Sequence, residues 1–182
     1  MKASVFVGTS LDGYLARPDG AYDFLPADGG EPHGYEEFFA SVDALVIGRN
    51  TYEVVLPITP WIYGTKPVFV LSTNPLKPPP PDAVVERMSG TPEEIAAALA
   101  HRGLQHVYVD GGLTIQSFLR AGLIQRVTIT RVPVLVGRGI PLFGPTERDI
   151  MLKHIATQHY ASGLVKSEYQ VVRPLLTSRN TD

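Results

Sequence analysis

One recurring unit limits what this chain can fold into: a short apolar run of β-prone residues, a small polar turn, and then a helical stretch. Asp43 to Ile47 runs into Gly48-Arg49-Asn50-Thr51, Lys66 to Leu71 into Ser72-Thr73-Asn74, and His106 to Val109 into Asp110-Gly111-Gly112-Leu113-Thr114. Four to six apolar residues without polar alternation suit a strand covered on both faces. Helices between such strands provide the crossovers that parallel neighbours need. The chain therefore predicts an α/β architecture with a mostly parallel sheet.

The remaining segments fit that frame. Ala3 to Val7 predicts a first strand, and Leu11-Asp12-Gly13 a turn before Tyr14-Leu15-Ala16. The Gly-, Pro- and Asp-rich stretch that follows, up to Pro32, predicts an exposed loop. Tyr35, Phe38 and Phe39 have the i, i+3, i+4 spacing of a short amphipathic helix. Thr91-Pro92-Glu93-Glu94 opens the clearest helix, with Thr91 as cap, Pro92 in the first helical position and Glu94 completing a capping box. Val127 to Val136 predicts a strand, and Leu152 to Tyr160 with Leu164 to Val172 a closing hairpin about Ala161-Ser162-Gly163. The expected order is βαβαβ, then β, αβαβ and the hairpin: one mixed sheet with helices on both faces and an antiparallel edge. A single domain over residues 1–174 and a fraying tail over 175–182 are expected.

Composition removes several classes of function. With 44% hydrophobic and 19% charged residues the chain is too apolar for disorder. A net charge of -2 and scattered Lys and Arg provide no field for nucleic acid. The absence of cysteine excludes a disulfide framework, a thiolate metal site and a thiol nucleophile. His33, His101, His106, His154 and His159 show no metal-ligand spacing, so no metal is expected. The N-terminal apolar run is too short for a signal peptide and no stretch is long enough to span a membrane, so the expected location is cytoplasmic.

In an open α/β sheet, ligands collect beyond the carboxyl ends of the parallel strands, where helix starts offer free N–H groups. All three polar turns point toward one such rim. Gly111-Gly112 lets a backbone approach a pyrophosphate closely, and Arg49 adds a planar guanidinium suited to phosphate. Each turn also has a plain structural reading, as a tight turn or a capped helix start. The G-x-G-x-x-G fingerprint is absent, which argues against a standard Rossmann site.

Ser10 to Ala16 (SLDGYLA), Asp43 to Glu53 (DALVIGRNTYE), Lys66 to Ser72 (KPVFVLS), Val107 to Leu119 (VYVDGGLTIQSFL) and Pro133 to Phe143 (PVLVGRGIPLF) carry a resemblance across most of the chain. It resembles the dihydrofolate-reductase-like superfamily, specifically the bacterial group related to the reductase domain of the riboflavin-biosynthesis deaminase-reductase. The resemblance implies a three-layer fold and NADPH as cofactor. It implies Arg49, Asn50 and Thr51 near the phosphates, and Ser72 and Thr73 near the adenosine 2′-phosphate. Gly111, Gly112, Leu113 and Thr114 are implied around the pyrophosphate, with Gly48 and Asp110 in the same set. A β-branched residue at Gly112 is expected to weaken cofactor binding, through an intruding Cβ and a strained positive φ.

The substrate side departs from both relatives. No Pro-Trp dipeptide precedes the first helix, and Thr65 stands where dihydrofolate reductases usually carry an arginine for the folate glutamate. Tyr14 follows Asp-Gly where the riboflavin-type reductase usually has lysine. Candidates for substrate polarisation are Asp12, Glu36 and Glu37, with Tyr14 and Trp61 as stacking walls. Gly137-Arg138-Gly139 reads as an anion-binding turn or as a plain structural one. The expected function is NADPH-dependent hydride transfer to a small heterocycle, pterin-like or ribityl-aminopyrimidine-like. The alternative is a nucleotide-binding module of the same fold without turnover. Expected partners are a small-molecule substrate and no nucleic acid or membrane, with a homodimer left open.

Overall fold

The computed structural model describes residues 1–26 and 33–172. The expected loop up to Pro32 lies partly outside the described residues, and the expected tail over 175–182 lies wholly outside them. The chain opens with β1 (Lys2–Ser10) and β2 (Tyr14–Ala16), followed by α1 (Tyr35–Ala40), β3 (Ala44–Gly48) and α2 (Arg49–Val55). Next come β4 (Val68–Leu71), β5 (Val85–Met88), α3 (Pro92–His101), β6 (His106–Asp110) and α4 (Gly112–Arg120). It closes with β7 (Arg126–Val132), β8 (Ile140–Pro141), β9 (Leu152–His159) and β10 (Val165–Val171). β5 is the strand that the sequence order requires without locating.

The strands form an eight-stranded sheet in the order β5-β4-β3-β6-β1-β7-β10-β9, with β2 and β8 as a separate pair. Every pairing from β5 to β7 is parallel, while β10 is antiparallel to both β7 and β9. β3 shows why the sheet must be covered twice: Ala44 and Val46 enter one core, and Leu45 and Ile47 the other. The first core packs Ile95 and Leu99 of α3 and Ile115 and Phe118 of α4 against Val5, Val107 and Val127. The second packs Tyr52 and Val55 of α2, with Phe38 and Phe39 of α1 at its edge, against Val68, Val70 and Tyr108. Each fully buried aliphatic side chain contributes about 1.5–3 kcal/mol, so these two layers anchor the strands that carry the rim.

Local signals are realised with small shifts. Thr91 Oγ1 accepts from the Glu94 amide at 3.3 Å and Glu94 Oε2 from the Thr91 amide at 2.8 Å, the expected capping box. β7 ends at Val132 instead of continuing to Val136, because Pro133 has no N–H for the ladder. None of the expected apolar face of α1 is fully buried: Tyr35 stays 40% exposed, and Phe38 stacks on Phe6 at 5.0 Å between centroids.

The carboxyl ends of the central strands form one edge. From β4 across to β7, that edge presents Ser72, Gly48, Asp110, Ser10 and Val132 in turn.

Candidate functional site

The rim is built where α2 and α4 begin. Both helices start directly after a strand, with Gly48 and Gly111 at their N-caps, no side-chain cap and no acidic residue in the first turn. α3 is different, since it carries its own capping box and two glutamates. The first amides of a helix lack intrahelical partners and gather partial positive charge. At α2 and α4 that charge is unopposed by any side chain of the first turn.

The two starts interlock through absent side chains. A Cβ at Gly111 would run into Thr51 Oγ1, and one at Gly48 would stand 2.9 Å from Thr114 Oγ1. Gly111 also holds φ at 90°, where side-chain-bearing residues are strained. This corrects the expectation for Gly112. Gly112 is not at positive φ, and its missing Cβ faces Pro141 O at 3.1 Å and Ile140 Cγ2 at 3.2 Å. It seats α4 on the β2–β8 pair, while the turn that needs glycine is at Gly111. Thr114 is buried, whereas Leu113 is 74% exposed on the rim.

Arg49 reaches back along α2, its Nε donating to Glu53 Oε1 at 2.8 Å, and Lys77 Nζ meets Glu53 Oε2 at 3.4 Å. The Arg49 guanidinium first, and Lys77 next, hold the Glu53 carboxyl below its ordinary range. Asn50 is exposed at the helix start. Ser72 Oγ turns back on Asn74, donating to its carbonyl at 2.8 Å and accepting from its amide at 3.1 Å. Exposed Thr73 accepts a hydrogen bond through its carbonyl from Arg87 Nη1 at 3.1 Å. Arg87 is a second cation at this end of the rim, missed in the sequence because only the Val70–Arg87 register of β4 and β5 brings it there.

The three carboxylates expected on the substrate side lie on the turn after β1 and on α1. Both oxygens of Asp12 are occupied: Ser10 Oγ donates at 2.6 Å, and the amides of Gly137 and Val136 donate at 2.7 and 3.1 Å. The Ser10 hydroxyl first, then those amides, hold its carboxyl below the ordinary range, so Asp12 pins the 136–137 turn as an anion and has no proton to give. Gly137 in that turn is at positive φ. Glu36 and Glu37 are exposed on α1. Tyr14 packs its ring against Gly139, and Trp61 lies between Tyr52 and Tyr63 in the α2 core. Thr65 is exposed, and neighbouring Lys66 donates to the Val42 carbonyl.

A further carboxyl group, Asp110, ends β6 close to Tyr35, Tyr63 and Tyr108. Burial pushes it above the ordinary carboxylate range, while the hydrogen bond from the Gly111 amide, at 2.7 Å, and the nearby Tyr108 hydroxyl partly oppose the shift. Partial burial first and Asp110 second push the Tyr35 hydroxyl up to about 12. Burial first, then Asp110, also raise Tyr63 and Tyr108. Tyr108 donates to the Phe6 carbonyl at 2.7 Å, fixing its ring beneath Tyr35 and Phe38. The residue D at 110 is visible in the sequence; its desolvation is not.

An apolar cavity of about 420 Å³, lined by Leu119, Val127, Phe143 and Ile150, opens at the far end of α4 and includes none of the rim residues. Among the described residues no helix is long and apolar enough to cross a membrane.

Residues 2–166 match the profile of the RibD C-terminal domain. The chain is 30% identical over 166 residues to the uncharacterized protein YwjB of Bacillus subtilis strain 168, covering 90% of this chain and 94% of that one. A provisionally described riboflavin biosynthesis protein from Shewanella sp. PV-4 superposes with a TM-score of 0.86 at 38% identity, over 95% of this chain and 100% of that one. Dihydrofolate reductase from Enterococcus faecalis, solved with NADP(H), superposes with a TM-score of 0.67 at 15% identity, over 94% and 97% of the two chains. That last likeness is one of fold.

Proposed function

The chain belongs to the RibD C-terminal domain family, and from that premise we propose that it is an NADPH-dependent oxidoreductase acting on a small heterocycle, pterin-like or ribityl-aminopyrimidine-like. The observation that carries the reading is the pair of uncapped, acid-free helix starts locked together at Gly111–Thr51 and Gly48–Thr114. Such a cradle suits a dinucleotide's pyrophosphate, and the Enterococcus faecalis reductase of the same fold was solved with NADP(H).

The residues fit that cofactor along its length. Arg49, Asn50 and Thr51 with the amides of residues 111–114 would hold the phosphates. Ser72, Thr73 and Arg87 would meet the adenosine 2′-phosphate. NADPH supplies the hydride when bound; the protein supplies orientation and a proton. Asp110 is placed to hold that proton, because burial favours its neutral form, and a neutral carboxyl can donate where Asp12 cannot.

The test is NADPH oxidation across a panel of pterins, flavins and aminopyrimidines, with Asp110→Asn beside the wild type. The variant is expected to lose about 10²- to 10⁴-fold in turnover, the span of a general acid, with unchanged NADPH affinity. Turnover of the wild type should decline as pH rises through the raised pKa of Asp110, and this limb should vanish in the variant. A folded protein that binds no NADPH overturns the cofactor assignment; undiminished turnover in Asp110→Asn overturns the proton role. Binding without turnover is the second reading, favoured by the engagement of Asp12 with Ser10 and the amides of Val136 and Gly137. It predicts tight NADPH binding and no oxidation with any acceptor.

A further inference from the structure

The cavity of about 420 Å³ at the far end of α4 contains a polar group that neither the core nor the cofactor reading uses. Most of its wall is apolar: Leu119 of α4, Val127 of β7, then Phe143, Ile150, Met151 and Leu152 on the way into β9. Gln116 of α4 also lines it, and is only 9% exposed. Its Nε2 donates to the carbonyls of Pro141 and Leu142 at 3.0 and 3.5 Å. Two acceptors on one side fix which way the amide points, so Oε1 is turned away from them. Among the described residues, that oxygen accepts no hydrogen bond. It lies against Gly144, another residue of the wall, where a Cβ would run into it. Glycine at 144 keeps the oxygen clear.

An acceptor taken out of water and left unpaired costs its full desolvation, and native proteins pair nearly all such groups. The group that completes Gln116 is an O–H or N–H donor reaching it from the cavity. The aliphatic and phenyl wall favours that donor on an apolar body. Arg120 and Asp149 line the cavity with one charge of each sign, so it selects neither an anion nor a cation. Its volume falls within the range of small-molecule sites, roughly 300–1,000 Å³.

We propose that this cavity is a second ligand site, for a neutral aromatic molecule carrying a hydroxyl or ring N–H, phenol-like or indole-like, that donates to Gln116 Oε1. From Gly112 to Arg120, α4 rises about 12 Å, so this ligand and a dinucleotide at the rim occupy different places. The site stands independently of the reductase reading.

The probes are phenol and anisole, which differ in the O–H donor, titrated into the full chain and followed by ligand-detected NMR. Phenol is expected to bind the wild type several-fold more tightly, although anisole is the more apolar of the two. Gln116→Leu keeps the cavity and removes the acceptor, so it should shift the phenol-to-anisole affinity ratio by several-fold to about tenfold, the effect of one hydrogen bond. Saturating NADPH should leave phenol affinity unchanged. The proposal is overturned if neither probe binds, if the wild type does not prefer phenol, if the preference survives in folded Gln116→Leu, or if NADPH displaces phenol. Thermal melting shows whether Gln116→Leu folds; the comparison of the two probes in the wild type decides the matter if it does not. Sedimentation velocity tests a rival occupant: a dimer that excludes phenol would assign the mouth of the cavity to a second copy of the chain and overturn the ligand site.

Discussion

Arg49 and the two aspartates show how environment, not residue type, assigns roles at this rim. Arg49 spends its Nε on Glu53, and the salt bridge holds the side chain along α2. A charge-assisted hydrogen bond contributes about 1.5–3 kcal/mol, and partial exposure favours the lower figure. Arg49→Ala should therefore weaken NADPH about tenfold, since 1.4 kcal/mol is a factor of ten in Kd. NADH should lose less if Arg49 serves the 2′-phosphate and equally if it serves the pyrophosphate, so paired fluorescence titrations also locate the contact. Equal, unaltered affinities would leave Arg49 as a helix residue bonded to Glu53 alone. Asp12 and Asp110 diverge for a similar reason: three donors surround the first, whereas burial dominates the second.

At the level of elements, the decisive event is the meeting of two helix starts. α2 and α4 can approach only because Gly48 and Gly111 leave room for Thr114 and Thr51. Gly111→Ala adds a side chain at φ 90° and drives it into Thr51. Forcing a residue into that region costs about 1–3 kcal/mol, and each kcal/mol lowers Tm by about 2–4 °C in a chain of this length. A fall of roughly 2–12 °C with weaker NADPH binding is the expected result. Gly112→Ala should be milder in Tm, because its new methyl meets Pro141 O at 3.1 Å in ordinary backbone geometry. Circular-dichroism melts of the two variants decide between them; equal losses would contradict the division of labour drawn for this turn.

For the molecule as a whole, pH acts through the edge opposite the rim. His106 takes a hydrogen bond to Ser4 Oγ at 2.8 Å and one to the Ser41 carbonyl at 3.0 Å, while Asp43 Oδ2 accepts from the amides of Gln105 and His106 at 2.7 and 2.8 Å. These bonds tie β1, β3 and β6 together at their starts. Burial lowers the His106 pKa, so the folded state favours neutral imidazole. Stability should stay level above the ordinary imidazole value of about 6.5 and decline as pH falls from there through the folded pKa. Asp43 is held low, first by the His106 amide and then by that of Gln105, so its contribution is lost only below the ordinary carboxylate value. Urea melts across pH should show two declines, of which His106→Gln removes the upper. Stability that rises on acidification below about 6.5 would contradict this account.

Much of this arrangement was legible before any fold was known. Apolar runs, glycine turns and the Thr91–Glu94 capping box are local, so the strands, the helix starts and their common rim followed from residues a few positions apart. The site's chemistry did not. Asp110 is desolvated near tyrosines while Glu36 and Glu37 are exposed, Arg87 reaches the rim only through the β4–β5 register, and Lys166 meets His33 across 133 positions of chain. Propensity and turn chemistry act between neighbours, and the sequence therefore determined the scaffold. Burial, charge and hydrogen bonding act through space, and only the packed tertiary structure could decide which carboxyl is desolvated and which distant side chains meet.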